Sequence, residues 1–245
     1  MTRIFYDVDT QNDFMNRDGA LYVPGAELIK PNLRDLTKYA RNPGRYDSVM
    51  DAIPIVGSVD RHFGTKSYNG REGELNRWDG PFPNHCMSGK KGQQKIDETR
   101  VIWHEFGVEP YDVAIYIPHY LDGKVRKLDL VKSIGEVVPL YELTPTKTLY
   151  FEKQNYDVFT NPAFQLFLDL AEVDEAVVYG VATDYCVRAA VEGMKKQGIQ
   201  TYVVEDAIKG VAPDTTEAAI EEMKKDKEGL GAIFVTTQQV LEDRI

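Results

Sequence analysis

EAVVY, at residues 175–179, is a short β-rich apolar run, and residues 184–197 follow it with apolar side chains at three- and four-residue intervals. The first pattern predicts a strand that is covered on both faces, and the second predicts an amphipathic helix. Only a few residues, beginning at Gly180, separate the two. Such a strand–turn–helix unit is typical of a parallel α/β sheet.

The same alternation recurs along the whole chain. Six further runs predict strands, at residues 4–8, 52–59, 113–117, 148–151, 200–204 and 232–235. Helical spacing recurs at residues 26–39, 161–170 and 215–225. There is no repeat and no linker rich in Gly, Ser or Pro, so we expect one α/β domain over residues 1–245. Residues 64–100 read as a long functional loop, and residues 120–146 as an insertion with a hairpin turn at Asp122-Gly123.

Composition excludes several classes of function. The 29 Lys and Arg against 39 Asp and Glu give a net charge of −10, and the basic residues come in pairs at most, so we expect no nucleic-acid partner. No apolar run approaches the ~18 residues of a membrane span, and the N-terminus has no signal-like stretch. We therefore expect a cytoplasmic protein without a membrane partner. The two cysteines, Cys86 and Cys186, read as thiols.

Reactive side chains follow four of the predicted strands. They are Asp9, the pair Asp60 and His62, Lys153, and Cys186. In an open parallel sheet the site lies beyond the carboxyl ends of the strands, so these ends are where chemistry is expected. No glycine-rich phosphate-binding motif follows any strand, which argues against a dinucleotide or nucleotide site.

Two sets of residues could carry chemistry. Asp60 and His62 would share a face of extended backbone, and His85 adds a second imidazole. Two imidazoles and a carboxylate suit a divalent metal ion that keeps open coordination positions. The alternative is that the Asp–His pair caps a loop, and we expect the adjacent Cys86 to pack. Cys186, at a strand-to-helix turn, has a reference pKa of about 8.5 and needs a neighbouring base or cation to react.

Asp9 and Lys153 would supply that base and that cation if the strand ends converge. The alternative is a surface aspartate, a surface lysine and a buried cysteine.

The motifs DTQNDF (residues 9–14), DRH (60–62), FPNHCMSG (82–89) and GVATDYCVR (180–188), with Lys153, together resemble the nicotinamidase branch of the isochorismatase-like cysteine hydrolases. The resemblance implies an α/β fold, a Rossmann-like three-layer sandwich with a mainly parallel sheet and helices on both faces.

The resemblance also implies the reaction and its residues. It implies a catalytic triad of Asp9, Lys153 and Cys186, and an oxyanion hole from the backbone N–H groups of Ala182 and Cys186. The family's cis peptide falls at Val181-Ala182. The implied reaction converts nicotinamide to nicotinate and ammonia through a thioester, and the expected partner is a small-molecule amide.

The resemblance further implies a divalent metal on Asp60, His62 and His85, with zinc as the first candidate and iron or manganese as alternatives. Phe14 and Phe82 match positions that face the substrate in such enzymes, although Phe82 reads equally well as a core phenylalanine. The sequence leaves the oligomeric state open, and a homo-oligomer is compatible with it.

Three features depart from the family pattern. No further histidine follows His62 in HFGTKSY, Tyr185 stands where some members have histidine, and residues 120–146 are inserted before Lys153. Since the insertion could reshape the pocket, another small amide is the alternative substrate. His104 and His119 match no motif.

Overall fold

The computed structural model describes residues 2–41, 53–63, 82–100, 113–117, 147–225 and 230–245. Within these ranges, seven strands form one all-parallel sheet. They are β1 (Thr2–Val8), β2 (Ile55–Asp60), β3 (Val113–Ile117), β4 (Lys147–Lys153), β5 (Val173–Val181), β6 (Gln200–Lys209) and β7 (Ile233–Val235). Their order across the sheet is β3-β4-β2-β1-β5-β6-β7, so the direction of chain progression reverses at β1.

The described ranges contain six α-helices, four of them longer than one or two turns. They are α1 (Asn12–Met15), α2 (Lys30–Arg41), α3 (Pro162–Leu170), α4 (Arg188–Lys196), α5 (Pro213–Lys224) and α6 (Thr237–Leu241). Short 3₁₀ turns occur at Ala26–Ile29, Lys91–Gln93 and Val158–Thr160, and a π-helical turn at Thr183–Val187. No helix among the described residues is long and apolar enough to span a bilayer.

The sheet separates two apolar cores. On one face Tyr6 and Phe151 pack with apolar residues of α3, α4 and α5, such as Phe164. On the other face Phe5 packs with apolar residues of α2 and α6, such as Leu33. Because successive strand residues point to opposite faces, each buried strand feeds both cores. The expected three-layer α/β sandwich is confirmed.

Several element boundaries differ from the sequence-based expectation. The helix expected over residues 26–39 starts as a 3₁₀ turn and becomes α-helical at Lys30. The helix expected from Asp184 starts with a π turn and becomes α-helical at Arg188. Helix α5 begins at Pro213 rather than Thr215, because proline fits the first helical turn, where its missing N–H costs nothing.

Strand pairing brings the reactive strand ends together. Asp60 of β2 is in register with Lys153 of β4, and Val8 of β1 is in register with both Ser58 of β2 and Gly180 of β5. The ends of β4, β2, β1 and β5 therefore meet at one edge, beside the reversal point where open α/β sheets place their ligands. The expected insertion at 120–146, its turn at Asp122-Gly123, residues 64–81 of the expected loop, and His104 and His119 lie outside the described residues.

Candidate active site

Lys153 is the centre of the cluster at these strand ends. The residue is 0% exposed, and its ammonium nitrogen lies 2.8 Å from Asp9 Oδ2 and 3.5 Å from Cys186 Sγ. The same ammonium donates to Asp60 Oδ1. Ser58 Oγ donates to the other carboxylate oxygen of Asp9 at 2.8 Å. Asp9, Lys153 and Cys186, which lie far apart in sequence, are thus in direct contact.

Burial and neighbouring charges shift the pKa values of all three residues in this cluster. Burial raises the pKa of the Asp9 carboxyl above its ordinary value, although Lys153 and the Ser58 hydroxyl oppose the shift. Burial also raises the pKa of the Cys186 thiol, and the negative charges of Asp9 and Asp60 add to that effect. The pKa of Lys153 stays well above its usual value because two carboxylates outweigh its burial. The raised pKa values favour a neutral thiol on Cys186 and a charged ammonium on Lys153.

A second cluster adjoins the first through Asp60. Its Oδ2 lies 3.7 Å from His62 Nε2 and 3.5 Å from His85 Nε2, and one ligand atom from each residue falls within 4.8 Å of the others. All three residues are buried. Burial alone would raise the pKa of Asp60, but Lys153 and hydrogen bonds with the two histidines hold it well below its usual range.

The tautomer of His85 suits this cluster to a metal ion. His85 Nδ1 lies 2.7 Å from the Pro83 carbonyl oxygen, which can only accept, so Nδ1 carries the hydrogen. In the metal-bound state Nε2, the nitrogen that faces Asp60, is then the atom that would give its lone pair to the ion. A histidine ligand held by a backbone carbonyl in this way is the usual arrangement around protein-bound metals. Two imidazole nitrogens and a carboxylate oxygen therefore fit a divalent metal ion.

A cavity of about 300 Å³ opens over both clusters. Phe14 and Phe82 line it, with ring centroids 5.5 Å and 6.4 Å from the His85 ring. Phe14 is 7% exposed, whereas Phe82 is 40% exposed. Reading Phe82 as a core phenylalanine is therefore wrong, because its ring stands in the cavity wall.

The turn after β5 forms the floor of this cavity. The Val181–Ala182 peptide is cis, and both Ala182 and Cys186 line the cavity. Asp184 accepts hydrogen bonds from the backbone N–H groups of Val211 and Ala212 at 2.9 Å and 3.3 Å. That carboxylate ties the turn to the start of α5. Tyr185 lines the cavity beside Phe82 at a centroid distance of 6.0 Å.

Several neighbours of the site were not predicted from the sequence. Ser58 holds Asp9, Gln11 holds the backbone of Asp60, and Tyr156 forms part of the cavity wall. A polar residue within an otherwise apolar strand was the available signal for Ser58. Cys86 is fully buried in the core that contains α2, outside the metal-binding set, as expected of a packing cysteine.

Comparison with known proteins agrees with this architecture. The model of the isochorismatase domain matches residues 7–239. The chain is 50% identical over 221 residues to the nicotinamidase/pyrazinamidase of Mycobacterium tuberculosis, covering 89% of this chain and 91% of that protein.

Two solved structures share the fold. The nicotinamidase/pyrazinamidase of Bacillus subtilis is 19% identical, with a TM-score of 0.62, and covers 96% of this chain and 100% of its own. The pyrazinamidase of Pyrococcus horikoshii in complex with zinc is 24% identical, with a TM-score of 0.62 and coverages of 96% and 99%. The chain therefore belongs to the isochorismatase domain family, within the nicotinamidase branch that its motifs resemble.

Proposed function

We propose that the chain is a metal-containing cysteine amidohydrolase that converts nicotinamide to nicotinate and ammonia in the cytoplasm. The observation that carries the proposal is the contact of Lys153 with both Asp9 and Cys186 on the floor of a cavity walled by aromatic rings. The 50% identity to a nicotinamidase/pyrazinamidase supports nicotinamide as the substrate.

Acylation begins at the thiol. Cys186 Sγ attacks the carboxamide carbon while its proton passes to Asp9, whose raised pKa makes it a better base than an ordinary aspartate. Lys153 stabilises the thiolate and carboxylate charges. The backbone N–H groups of Ala182 and Cys186 are the proposed donors to the tetrahedral oxyanion. The C–N bond then breaks, Asp9 returns the proton to the leaving nitrogen, and ammonia departs.

Hydrolysis of the thioester uses the same groups in reverse. Asp9 takes one proton from the attacking water, the C–S bond breaks, and that proton returns to Cys186. The product leaves as nicotinic acid and loses its remaining proton to solvent to give nicotinate. The single base serves both half-reactions, because the water attacks from the position that ammonia has left, where Asp9 has just delivered its proton.

Asp60, His62 and His85 would hold the metal. Their two imidazoles and one carboxylate favour zinc, with iron or manganese as alternatives, and the zinc complex of the Pyrococcus horikoshii relative supports the same order. A bound ion would supply a Lewis acid for the ring nitrogen of the substrate. Phe14 and Phe82 would then confine the ring, so that the carboxamide points towards Cys186.

Another small amide is the second candidate substrate. Gln154 and Asn155 both line the cavity, and in the described part of the chain their side-chain oxygens are buried without a hydrogen-bond partner. A substrate that carries an additional hydrogen-bond donor would satisfy them.

Ammonia release by the purified, metal-loaded protein tests the proposal. We expect turnover of nicotinamide, much slower turnover of benzamide, which lacks the ring nitrogen, and none with Cys186→Ala. Equal rates on the two amides would refute the role of the metal in orienting the ring. No turnover of nicotinamide, with turnover of a donor-bearing amide, would establish the second candidate.

A further inference from the structure

Segment 82–100 carries His85, although it contributes no strand to the sheet among the described residues. It is attached to the sheet at two places, where Met87 bridges His62 and Lys95 bridges Gln11. Backbone hydrogen bonds accompany both bridges, from Ser88 N to His62 O at 2.7 Å and from Ile96 N to Thr10 O at 3.0 Å. The position of His85 relative to Asp60 and His62 therefore depends on how this segment is held.

Gln11 connects the segment directly to Asp60. Its side chain is 0% exposed, and its Oε1 accepts from the backbone N–H of Asp60 at 2.7 Å. Its Nε2 donates to the carbonyl oxygens of Asp60 at 2.8 Å and of Gln93 at 2.6 Å. One buried side chain thus fixes the backbone of a proposed metal ligand and the backbone of the segment that carries another.

A buried ion pair lies beside Gln11. Lys95 is 3% exposed, Asp7 is 1% exposed, and their charged atoms are 2.9 Å apart. Thr10 Oγ1 donates to the other oxygen of Asp7 at 2.8 Å and shares a 2.6 Å hydrogen bond with Thr99. Neither charge belongs to the proposed mechanism.

The cost of burying these charges indicates a role other than stability. Replacing a buried ion pair by well-packed apolar residues is often neutral or stabilising, so such a pair is weak support for folding. Its directional contacts, by contrast, can fix one register of the segment against β1. The Nζ atom of Lys95 also lies over the ring of Tyr150, 4.8 Å from its centroid. This contact further restrains the lysine side chain.

We propose that Gln11 and the Lys95–Asp7 ion pair form a latch that positions segment 82–100 and thereby sets the affinity of the Asp60–His62–His85 cluster for a divalent metal. Gln11, Lys95 and Asp7 act as positioning residues. This inference rests on the proposed metal site. Groups that orient metal ligands from the outer shell typically contribute 10–100-fold in metal affinity.

Metal binding to the full chain tests the latch without any measurement of turnover. The variants are Gln11→Met, which keeps side-chain length and removes three hydrogen bonds, and Lys95→Met. Zn²⁺ affinity is measured by competition with a chromophoric chelator, and the ligand geometry by the visible spectrum of the Co²⁺ form. Leu168→Ala on α3 is the control, since it removes core volume outside the segment and the strand ends.

We expect both methionine variants to bind Zn²⁺ at least about tenfold more weakly and to change the Co²⁺ spectrum, while Leu168→Ala loses thermal stability only. Removing the charge of Lys95 would by Coulomb attraction alone strengthen cation binding, so weaker binding isolates the effect of position.

Affinities within twofold of wild type and unchanged Co²⁺ spectra would overturn the latch while leaving the metal site intact. A wild-type chain that binds neither ion would overturn both. Should Lys95→Met fail to fold, Gln11→Met decides the question alone.

Discussion

Asp9 is the residue whose chemistry is most sensitive to its surroundings. It is fully buried, with Lys153 on one carboxylate oxygen and Ser58 on the other. An amide at this position keeps the shape but cannot accept the thiol proton. We therefore expect Asp9→Asn to lower kcat by at least about 10²–10⁴-fold in a steady-state ammonia assay. An unchanged circular dichroism spectrum is the control, and a loss smaller than tenfold would exclude Asp9 as the base.

The pH dependence of the reaction follows from the same carboxyl group. Asp9 must be ionised to accept the proton, and burial raises its pKa above 3.8. Activity should therefore be lost as the pH falls, on an acidic limb of kcat/KM that lies above pH 3.8. Because the Ser58 hydrogen bond favours the ionised form, Ser58→Ala should move that limb to higher pH. A limb that stays in place in the variant would contradict the role of Ser58.

His85 is one of the three proposed metal ligands. Removal of its imidazole takes one of three donors from the cluster and opens the wall beside Phe14. We expect His85→Ala to lower bound metal and to raise KM for nicotinamide more than it lowers kcat. Elemental analysis of the purified variant measures the first effect, and full metal stoichiometry would remove His85 from the ligand set.

At the level of elements, helix α6 offers a test of stability that is separate from the site. Thr236 caps it through a capping box with Gln239, whose backbone N–H donates to the threonine hydroxyl at 3.2 Å. Thr236→Ala should lower the free energy of unfolding by about 1 kcal/mol without changing turnover. Thr236→Ser, which keeps the hydroxyl, is the matched control in urea titrations. A loss of activity in the alanine variant would mean that α6 influences the site.

The sequence predicts the helices and strands better than it predicts the neighbours of the site. Apolar runs and helical spacing predicted the parallel α/β class, because strands buried on both faces are near-continuously apolar. Strand ends were less predictable: β6 continues to Lys209 through polar residues, since backbone pairing with β5 does not depend on hydrophobicity. The reactive residues at strand ends were predictable from position and motif together.

The neighbours of the site were not predictable in the same way. Ser58 and Gln11 each contact a residue 49 positions away, and such contacts are set by strand register rather than by local spacing. The Asp7–Lys95 pair joins residues of opposite charge that no motif connects. Only the folded sheet brings these partners together.

For the molecule as a whole, metal binding should be linked to folding. An ion that binds only the native chain stabilises it, by about 4 kcal/mol when free metal exceeds the dissociation constant 1,000-fold. We therefore expect a chelator to lower the melting temperature of the metal-loaded protein and added Zn²⁺ to restore it. His85→Ala is the matched control and should show a much smaller response. Equal responses in the two proteins would place the stabilising ion elsewhere.

Acid quenching during turnover would trap the thioester between Cys186 and the substrate. Wild-type protein mixed with nicotinamide is quenched within one turnover, digested, and analysed by mass spectrometry for the peptide that contains Cys186. We expect a nicotinoyl group in thioester linkage on Cys186 of the wild-type protein, and no such group in Asp9→Asn or Cys186→Ala. Turnover of nicotinamide with no adduct at any quench time, or full turnover by Cys186→Ala, would contradict the covalent mechanism.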